Sequence, residues 1–356
     1  MLGSLVFDGL LAFRRSRMPD RLRAMHQRNA IGLRSCILLG MLMSCGDSSK
    51  DLASQAPIAS TPPQRIIPTN ASAVDFVLDL VDASRVVAVP DTIMDYATVD
   101  IDLTQWKADA RFSEFSAEVL LAHDPDMVIV SPWQDQNTID RVIESGVRVI
   151  ELPPVAGLED IRESIRVVAQ GLHAMEQAES LLAHFDARAE ELRQAAEKRG
   201  DIRGLVYTNY GSGGWAAGGG TTAHHILDLA GVRNSVLEAG RSGHDMVSIE
   251  EMLTMNPDVL VISKPSRDYG VTRKYLEEDK SLAHLDAVKN GRIIELPAAL
   301  FSTTSHHLLE AAEYLARELD KLISSGMLEA QADRKPSKKE SVGAASNPQS
   351  PTTDGQ

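Results

Sequence analysis

Two segments of the chain share one pattern of polar and apolar positions. Residues 116–131 and 248–263 agree at six of sixteen positions, including a first Ser, a Glu two residues later and a central Pro-Asp pair. In each copy the Ser suits a helix N-cap, and the apolar run after Pro-Asp suits a strand buried on both faces. The doubled pattern predicts two similar lobes, each with a parallel sheet, and places function in the crevice between them.

Further apolar runs alternate with helical patterns along the chain. Strands are expected over 65–68, 85–89, 147–152, 204–208 and 293–296, and helices over 70–81 and 305–323. Residues 158–199 contain no Pro and keep a helical apolar spacing, with a break possible near Gly171. The predicted fold class is therefore α/β, with two lobes of parallel sheet joined by one long backbone helix.

The N-terminal segment has the pattern of an export signal. Arg28 and Arg34 precede an apolar run that ends at Ser44-Cys45 and is too short to span a bilayer. Residues 42–45 resemble the bacterial lipobox, although Met43 is unusual there, which implies lipidation of Cys45 and attachment to the cell envelope. The alternative is an ordinary signal peptide that happens to contain a cysteine. We expect an extracytoplasmic protein on the periplasmic or an equivalent face.

These patterns divide the chain into six parts. They are a signal with lipobox over 1–45 (of which 1–24 need not be translated), a flexible tether over 46–64, an N-terminal lobe over 65–157, a linking helix over 158–200, a C-terminal lobe over 201–325 and a disordered tail over 326–356.

Charge and motifs exclude several functions. The formal net charge of −14 gives a surface that repels phosphate backbones, so no nucleic-acid partner is expected. Hydrolase and P-loop motifs are absent, and there is no CxxC spacing. The glycine-rich stretch 207–220 is too long for a dinucleotide loop and contains Trp215, which favours a rim loop that presents aromatics. We expect neither an enzyme nor a resident cofactor.

Aromatic residues, only 4% of the chain, fall near predicted strand ends. Tyr96, Trp133, Tyr210 and Phe301 follow strands, and Trp215 lies in the glycine-rich stretch. Ligands of open parallel sheets bind outside the carboxyl ends of the strands, so these side chains are predicted to stack on a large flat ligand.

Two groups of histidines are candidates for contact with a chelated metal. His306-His307 begins the last predicted helix beside Phe301, and His244 lies in a glycine-containing loop. His306 is the ligand-binding candidate, but the spacing fixes no second ligand, so no protein-held metal is predicted.

Glu118 and Glu250 occupy the same position in the two copies. The capping-box position is taken by Glu251 in the second copy and by Val119 in the first, so neither glutamate is needed there. An acid in a first helical turn is favoured by the helix dipole in any case. Their matched placement predicts a pair of surface contacts, one on each lobe.

Residues 65–323 resemble the periplasmic binding proteins of ABC importers for iron–siderophores, haem and vitamin B12. The resemblance rests on both copies of the repeat, the strands at 65–68 and 85–89, the long helix and residues 230–234. It implies a rigid linking helix with modest lobe motion, a bulky metal chelate in a shallow cleft, and salt bridges from Glu118 and Glu250 to arginines of a permease dimer with its ATPase subunits.

The resemblance leaves the chelate open. Aromatics at the places of Tyr96, Trp133, Trp215 and Phe301 favour a corrinoid over a ferric siderophore or haem, whereas Ser305-His306-His307 departs from the Ser-Pro-Arg of the vitamin B12 relatives. We expect a monomeric, lipid-anchored solute receptor. The alternatives are a metallocofactor-binding scaffold or enzyme of the same architecture, and a structural envelope lipoprotein that binds no chelate.

Overall fold

The computed structural model describes residues 61–96, 105–209, 214–264 and 271–329. The predicted signal with Cys45, most of the tether, Tyr210 and the tail from residue 330 lie outside the described residues.

The N-terminal lobe is built on short parallel strands covered by helices. Its strands are β1 Ile66–Pro68, β2 Val89–Pro90, β3 Arg111–Phe112, β4 Met127–Val130 and β5 Arg148–Glu151, and its helices are α1 Ala71–Leu80, α2 Ile93–Tyr96, α3 Ala117–Leu121 and α4 Gln136–Glu144. The main sheet has the order β1-β4-β5, and β2 pairs with β3 beside it. All of these pairings are parallel, so the carboxyl ends of β1, β4 and β5 share one edge.

The strand predicted over 85–89 is wrong for most of its length. Asp82 accepts a hydrogen bond from the backbone N–H of Ser84 at 2.8 Å and starts a 3-10 turn over Ala83–Arg85. Val86 then makes an isolated parallel bridge to Ile66, and regular pairing resumes only at Val89. A local polar cap therefore outweighs the β-branched run that predicted a strand.

The C-terminal lobe holds a larger mixed sheet. Two helices lead into it, α5 Leu158–Leu172 and α6 Met175–Ala196. The strands of this lobe are β6 Ile202–Asn209, β7 Gly214–Ala217, β8 Val232–Asn234, β9 His244–Val247, β10 Val259–Lys264 and β11 Ile293–Pro297. Its further helices are α7 Thr222–Leu229, α8 Ser235–Glu238, α9 Ile249–Met255, α10 Val271–Glu278, α11 Asp286–Lys289, α12 Ala298–Ser302 and α13 Leu308–Ser324. The strand order is β11-β10-β6-β7-β9, with β8 also paired to β6. β10 runs parallel to both neighbours, whereas β7 is antiparallel to β6 and β9.

The α/β class with two lobes of largely parallel sheet is confirmed, but the predicted linking helix is two helices. His173 adopts a left-handed conformation (φ 57°) at the C-cap of α5, and Ala174 precedes α6. The break falls two residues after Gly171. α6 then contacts α1 of the N-terminal lobe and both α7 and α13 of the C-terminal lobe, so α6 joins the lobes.

The doubled pattern forms the same unit twice, α3–β4 and α9–β10. Ser116 and Ser248 cap their helices as predicted, by accepting hydrogen bonds from the N–H groups of Val119 and Glu251. The shared aspartates have a common role: Asp126 accepts from the N–H of Arg65 at 3.0 Å, and Asp258 accepts from that of Arg203 at 2.9 Å. Each carboxylate therefore ties its strand to the start of the neighbouring strand, β1 or β6.

The packed region extends slightly beyond both predicted lobe limits. Leu328, assigned to the tail, is 3% exposed, and its N–H donates to the carbonyl of Leu322. Pro63, assigned to the tether, accepts a hydrogen bond from Arg85. Within the described residues no helix is long and apolar enough to cross a bilayer.

Candidate functional site

A cavity of about 320 Å³ lies where the carboxyl ends of β4 and β5 face the C-terminal lobe. The N-terminal lobe contributes the first turns of α1, the residues after β4 and β5, and Thr92 and Tyr96 at α2. The C-terminal lobe contributes Ala299 and residues 302–304. This position fits the rule that open parallel sheets bind ligands at their carboxyl edge. The volume is at the small end of ligand pockets, about 300–1,000 Å³, so a large ligand would fill the cavity and extend beyond it.

Trp133 is the most exposed large apolar side chain described at this cavity, with 81% of its surface accessible. It follows β4 by three residues, and Gln134 fixes its turn. The Gln134 Oε1 atom accepts from the N–H of Ser131 at 2.8 Å and from the hydroxyl of Thr69 at 2.7 Å. Gln134 thereby ties the turn whose backbone carries Trp133 to the end of β1.

Sequence reasoning missed Gln134. Its position could have indicated a role, because Gln134 is a polar residue directly after an aromatic in a turn at a strand end. Its partner Thr69, however, is 65 residues away in sequence.

Tyr96 lines the same cavity at the end of α2 and is 43% exposed. The structure therefore brings together two of the predicted aromatics, Tyr96 and Trp133. Both come from the N-terminal lobe, whereas the facing wall consists of Ala299 and the hydroxyl residues 302–304.

Three of the predicted ligand-binding residues lie elsewhere, and Tyr210 is outside the described residues. Trp215, expected on a loop, is in strand β7, paired with Thr208 and Met246, and is 40% exposed. Phe301 is partly buried in α12 and packs against the main core. His306 is 8% exposed and points to α1 rather than lining the cavity wall.

Most side chains in the described part of the cavity wall are apolar or carry a hydroxyl or amide group. Asp75 is the single charged side chain among the described residues that line it, and it is 2% exposed. Seven Ser, Thr and Asn side chains supply neutral donors and acceptors: Asn70, Ser72, Thr92, Ser131, Ser302, Thr303 and Thr304.

One face of α1 forms a polar seam with the segment before α13. Three contacts cross it: Ser72 to Thr304 at 2.6 Å, Asp75 to Ser305 at 2.7 Å and Asp79 to His306 at 2.5 Å. Residues three and four apart share a helix face, so successive turns of α1 reach successive residues of the C-terminal lobe. We call these six residues the interlobe seam; its first pair lines the cavity.

His307 extends the seam toward α13. Its Nδ1 atom lies 2.8 Å from Oε1 of Glu310. Burial lowers the pKa of His307, but the hydrogen bond to Glu310 and the charges of Asp75 and Asp79 outweigh it, so the net pKa is raised. The hydrogen bond to His307 lowers the pKa of Glu310.

Asp79 is also held in its charged form. Burial alone would raise the pKa of Asp79, but the hydrogen bond from His306 and the nearby imidazole charges bring the net pKa below its ordinary value. Asp79 and Glu310 are therefore both stabilised in the ionised form beside the two histidines.

The chain matches a family model described as "Periplasmic binding protein" over residues 66–300. The chain is a member of the periplasmic binding protein family. The matched range includes the cavity wall as far as α12, both copies of the repeat and the two joining helices.

Three similar proteins illustrate the family. An uncharacterized ABC transporter substrate-binding lipoprotein, YvrC of Bacillus subtilis, is 19% identical over 57% of this chain and 65% of its own length. A cobalamin-binding protein of Halobacterium salinarum is 21% identical over 68% of this chain and 66% of its own. The crystal structure of the periplasmic haem-binding protein HutB of Vibrio cholerae superposes with a TM-score of 0.63 at 21% identity, covering 73% of this chain and 98% of that one.

The chain thus spans about two thirds of the length of these curated relatives. At such identity the structural likeness establishes the fold and does not identify a ligand.

Glu118 and Glu250 are exposed in the first turns of α3 and α9 of this periplasmic binding protein. Within the described residues neither carboxylate has a hydrogen bond or ion pair. Glu251, by contrast, accepts from the N–H of Ser248 at 2.8 Å and pairs with Arg241 at 2.8 Å. The second copy therefore uses Glu251 for its cap, as the sequence predicts, and presents Glu250 to solvent.

Proposed function

We propose that this periplasmic binding protein is the lipid-anchored receptor of an ABC importer and captures a bulky, flat metal chelate in the cavity between its lobes. Trp133 carries the proposal, because an indole that is 81% exposed at the carboxyl edge of a parallel sheet offers apolar area that only a ligand or partner would cover. Tyr96 adds a second aromatic surface to the same cavity.

A corrinoid is the favoured chelate. The periphery of a corrin ring carries amide groups, which suit the hydroxyl and amide side chains of the described wall. Haem carries carboxylates, which would be unfavourable beside Asp75 without a basic partner. The cobalamin-binding relative from Halobacterium salinarum supports the same choice, whereas the structural likeness to HutB keeps haem as the second candidate.

Anchoring and partner follow from other parts of the chain. The lipobox-like residues 42–45 and the relative named as a lipoprotein support a lipid on Cys45 and a place in the cell envelope. Glu118 and Glu250 are proposed to contact two permease subunits, because they are exposed, matched between the lobes and free of the capping role. The receptor binds and releases its ligand unchanged and performs no chemistry on it.

Isothermal titration of the purified full chain with cyanocobalamin, haemin and ferrichrome tests the proposal. We expect saturable 1:1 binding of cyanocobalamin, with haemin and ferrichrome at least tenfold weaker. Burial of an indole contributes roughly 2 kcal/mol, so Trp133→Ala should weaken binding about 30-fold.

Trp215→Ala is the matched control, because Trp215 is also exposed but lies on β7 away from the described cavity wall. Its binding constant should stay within twofold of the parent. No saturable binding of any of the three chelates, or equal losses in both tryptophan variants, would refute a chelate site at this cavity.

A further inference from the structure

The interlobe seam contains a cluster of metal-ligating atoms that the proposed receptor function does not use. Asp79, His306 and His307 each offer one ligand atom, and these three atoms lie within 4.8 Å of one another. Asp79 comes from α1 of the N-terminal lobe, and the two histidines precede α13 of the C-terminal lobe. We propose that these residues form a binding site for a divalent transition metal ion of the Zn²⁺ class, which joins the lobes.

The histidines are buried with unused nitrogen atoms. The side chains of His306 and His307 are 8% and 7% exposed. Within the described residues, Nδ1 of His306 and Nε2 of His307 have no hydrogen-bond partner. Buried polar atoms are usually paired, so the unpaired Nε2 of His307 is available to a metal ion, whereas His306 would bind the ion through the Nε2 atom that contacts Asp79.

Glu310 prepares His307 for the metal. A carboxylate only accepts hydrogen bonds, so the 2.8 Å contact places the proton of the neutral His307 ring on Nδ1 and leaves the lone pair on Nε2. Zinc-bound histidines usually donate their second N–H to a carboxylate, a backbone carbonyl or a water molecule, which fixes the tautomer and the ring orientation. Glu310 is therefore a positioning residue and not itself a metal ligand.

The spacing suits a tetrahedral ion. With bonds of about 2.0–2.2 Å, neighbouring ligand atoms of such an ion stand about 3.3 Å apart. The three atoms here need only small side-chain rotations, in which the ion takes the place of the hydrogen between His306 Nε2 and Asp79 Oδ2. Two imidazoles and one carboxylate favour Zn²⁺ over Mg²⁺ or Ca²⁺, which prefer oxygen-only sites.

Solvent can complete the coordination. The Asp79 side chain is 37% exposed, so the ion is reached from one side and keeps a water molecule as fourth ligand. The site lies one helical turn from Asp75, which lines the cavity, but it is separate from the aromatic wall formed by Tyr96 and Trp133.

Titration of the full chain with ZnSO₄, without any chelate ligand present, tests the site. We expect one saturable equivalent of Zn²⁺, and a visible absorption band typical of tetrahedral Co²⁺ when CoCl₂ replaces it. His307→Gln and Asp79→Asn should each weaken binding at least tenfold. Glu310→Gln should keep one equivalent of Zn²⁺ but weaken it about 10- to 100-fold.

His224→Gln is the control, because His224 and His225 are another adjacent histidine pair, with ring centroids 5.2 Å apart, yet they belong to no such cluster among the described residues. Circular dichroism checks the folding of each variant. If His307→Gln is unfolded, the Zn²⁺ affinity of Asp79→Asn, at the exposed side of the site, tests the proposal instead. Absence of saturable Zn²⁺ binding in the parent chain overturns the proposal, as does unchanged binding in Asp79→Asn. Because no chelate is present, this result is independent of the titrations that test the receptor function.

Discussion

Ser305 donates a hydrogen bond to Asp75 across the lobe boundary, with Oγ and Oδ2 2.7 Å apart, although the two residues are separated by 230 positions in sequence. Both side chains are buried, at 0% and 2% exposure. A buried carboxylate that loses a donor bears an added desolvation cost, so this contact matters more than an exposed one.

Ser305→Ala should therefore lower the free energy of unfolding by about 1–3 kcal/mol. Urea denaturation of the full chain measures the change. Ser113→Ala, at an exposed position, should stay within about 0.5 kcal/mol of the parent. Equal midpoints for the two variants would contradict a stabilising role for the seam.

Gln134→Ala should weaken ligand binding without removing any side chain that lines the cavity wall. The Trp133 turn loses its bonds from Ser131 and Thr69, each contributing about 0.5–1.5 kcal/mol, so the backbone that carries the indole is less restrained. We expect a three- to tenfold rise in the dissociation constant for the chelate, measured by calorimetry. Gln136→Ala, whose amide donates to the exposed Asp140, should bind as the parent does. A loss there of the same size would argue against the role of Gln134 in fixing the turn.

Glu118→Lys combined with Glu250→Lys should abolish chelate uptake while leaving the affinity of the receptor unchanged. Both glutamates are exposed and outside the cavity wall, so charge reversal acts only on the permease contact. Uptake in a strain that depends on this receptor provides the measurement. The control exchanges two other exposed glutamates, Glu114 and Glu278, for lysine and should preserve uptake. Normal uptake by the first variant would refute the docking assignment.

The His307–Glu310 pair should make stability depend on pH. The raised pKa of His307 contributes stability that is complete below its ordinary value and is lost as pH rises through the raised value. The lowered pKa of Glu310 contributes stability that is lost only as pH falls through that lowered value. The contribution is therefore largest at mildly acidic pH.

His307→Gln should consequently lose more stability at pH 6 than at pH 9, by about 0.5–1 kcal/mol because Glu310 is half exposed. Urea denaturation with EDTA present, which keeps metal ions out, gives both values. His184→Gln, an exposed histidine on α6, supplies the baseline. A penalty that is the same at both pH values, or larger at pH 9, would show that the pair is not charged as described.

The sequence predicted those elements whose signals are local. Ser116 and Ser248 cap their helices through residues three positions away, and the runs after Pro-Asp are apolar enough to be strands in any sheet. Trp215 is expected on a loop because glycines surround it, but β7 pairs with β6 just before it and with β9 about thirty residues later. The strand predicted over 85–89 is wrong for a different reason. Asp82 starts a 3-10 turn there, and this local signal was overlooked beside the apolar run.

The candidate site divides in the same way. Trp133 follows β4 closely enough for strand-end reasoning to find it. Tyr96 also lines the cavity, although most of the strand predicted before it is absent and Tyr96 ends α2. His306 was expected at a ligand, but its partner Asp79 lies 227 residues away, and no spacing in the chain could reveal that contact. Phe301 follows its strand as predicted but is partly buried in a helix that packs against the core.

The aspartates shared by the two copies, Asp126 and Asp258, fix the register between their strand and its neighbour. Asp126 holds the first residue before β1, and β1 then pairs Ile66 with Met127 and Ile67 with Val128. A slip of one residue would turn each β1 side chain to the opposite face and carry Thr69, which holds Gln134, away from the Trp133 turn. The position of the cavity wall thus depends on a contact at the opposite end of the sheet. An Asp126 substitution is expected to misplace the Trp133 indole without any substitution at the cavity itself.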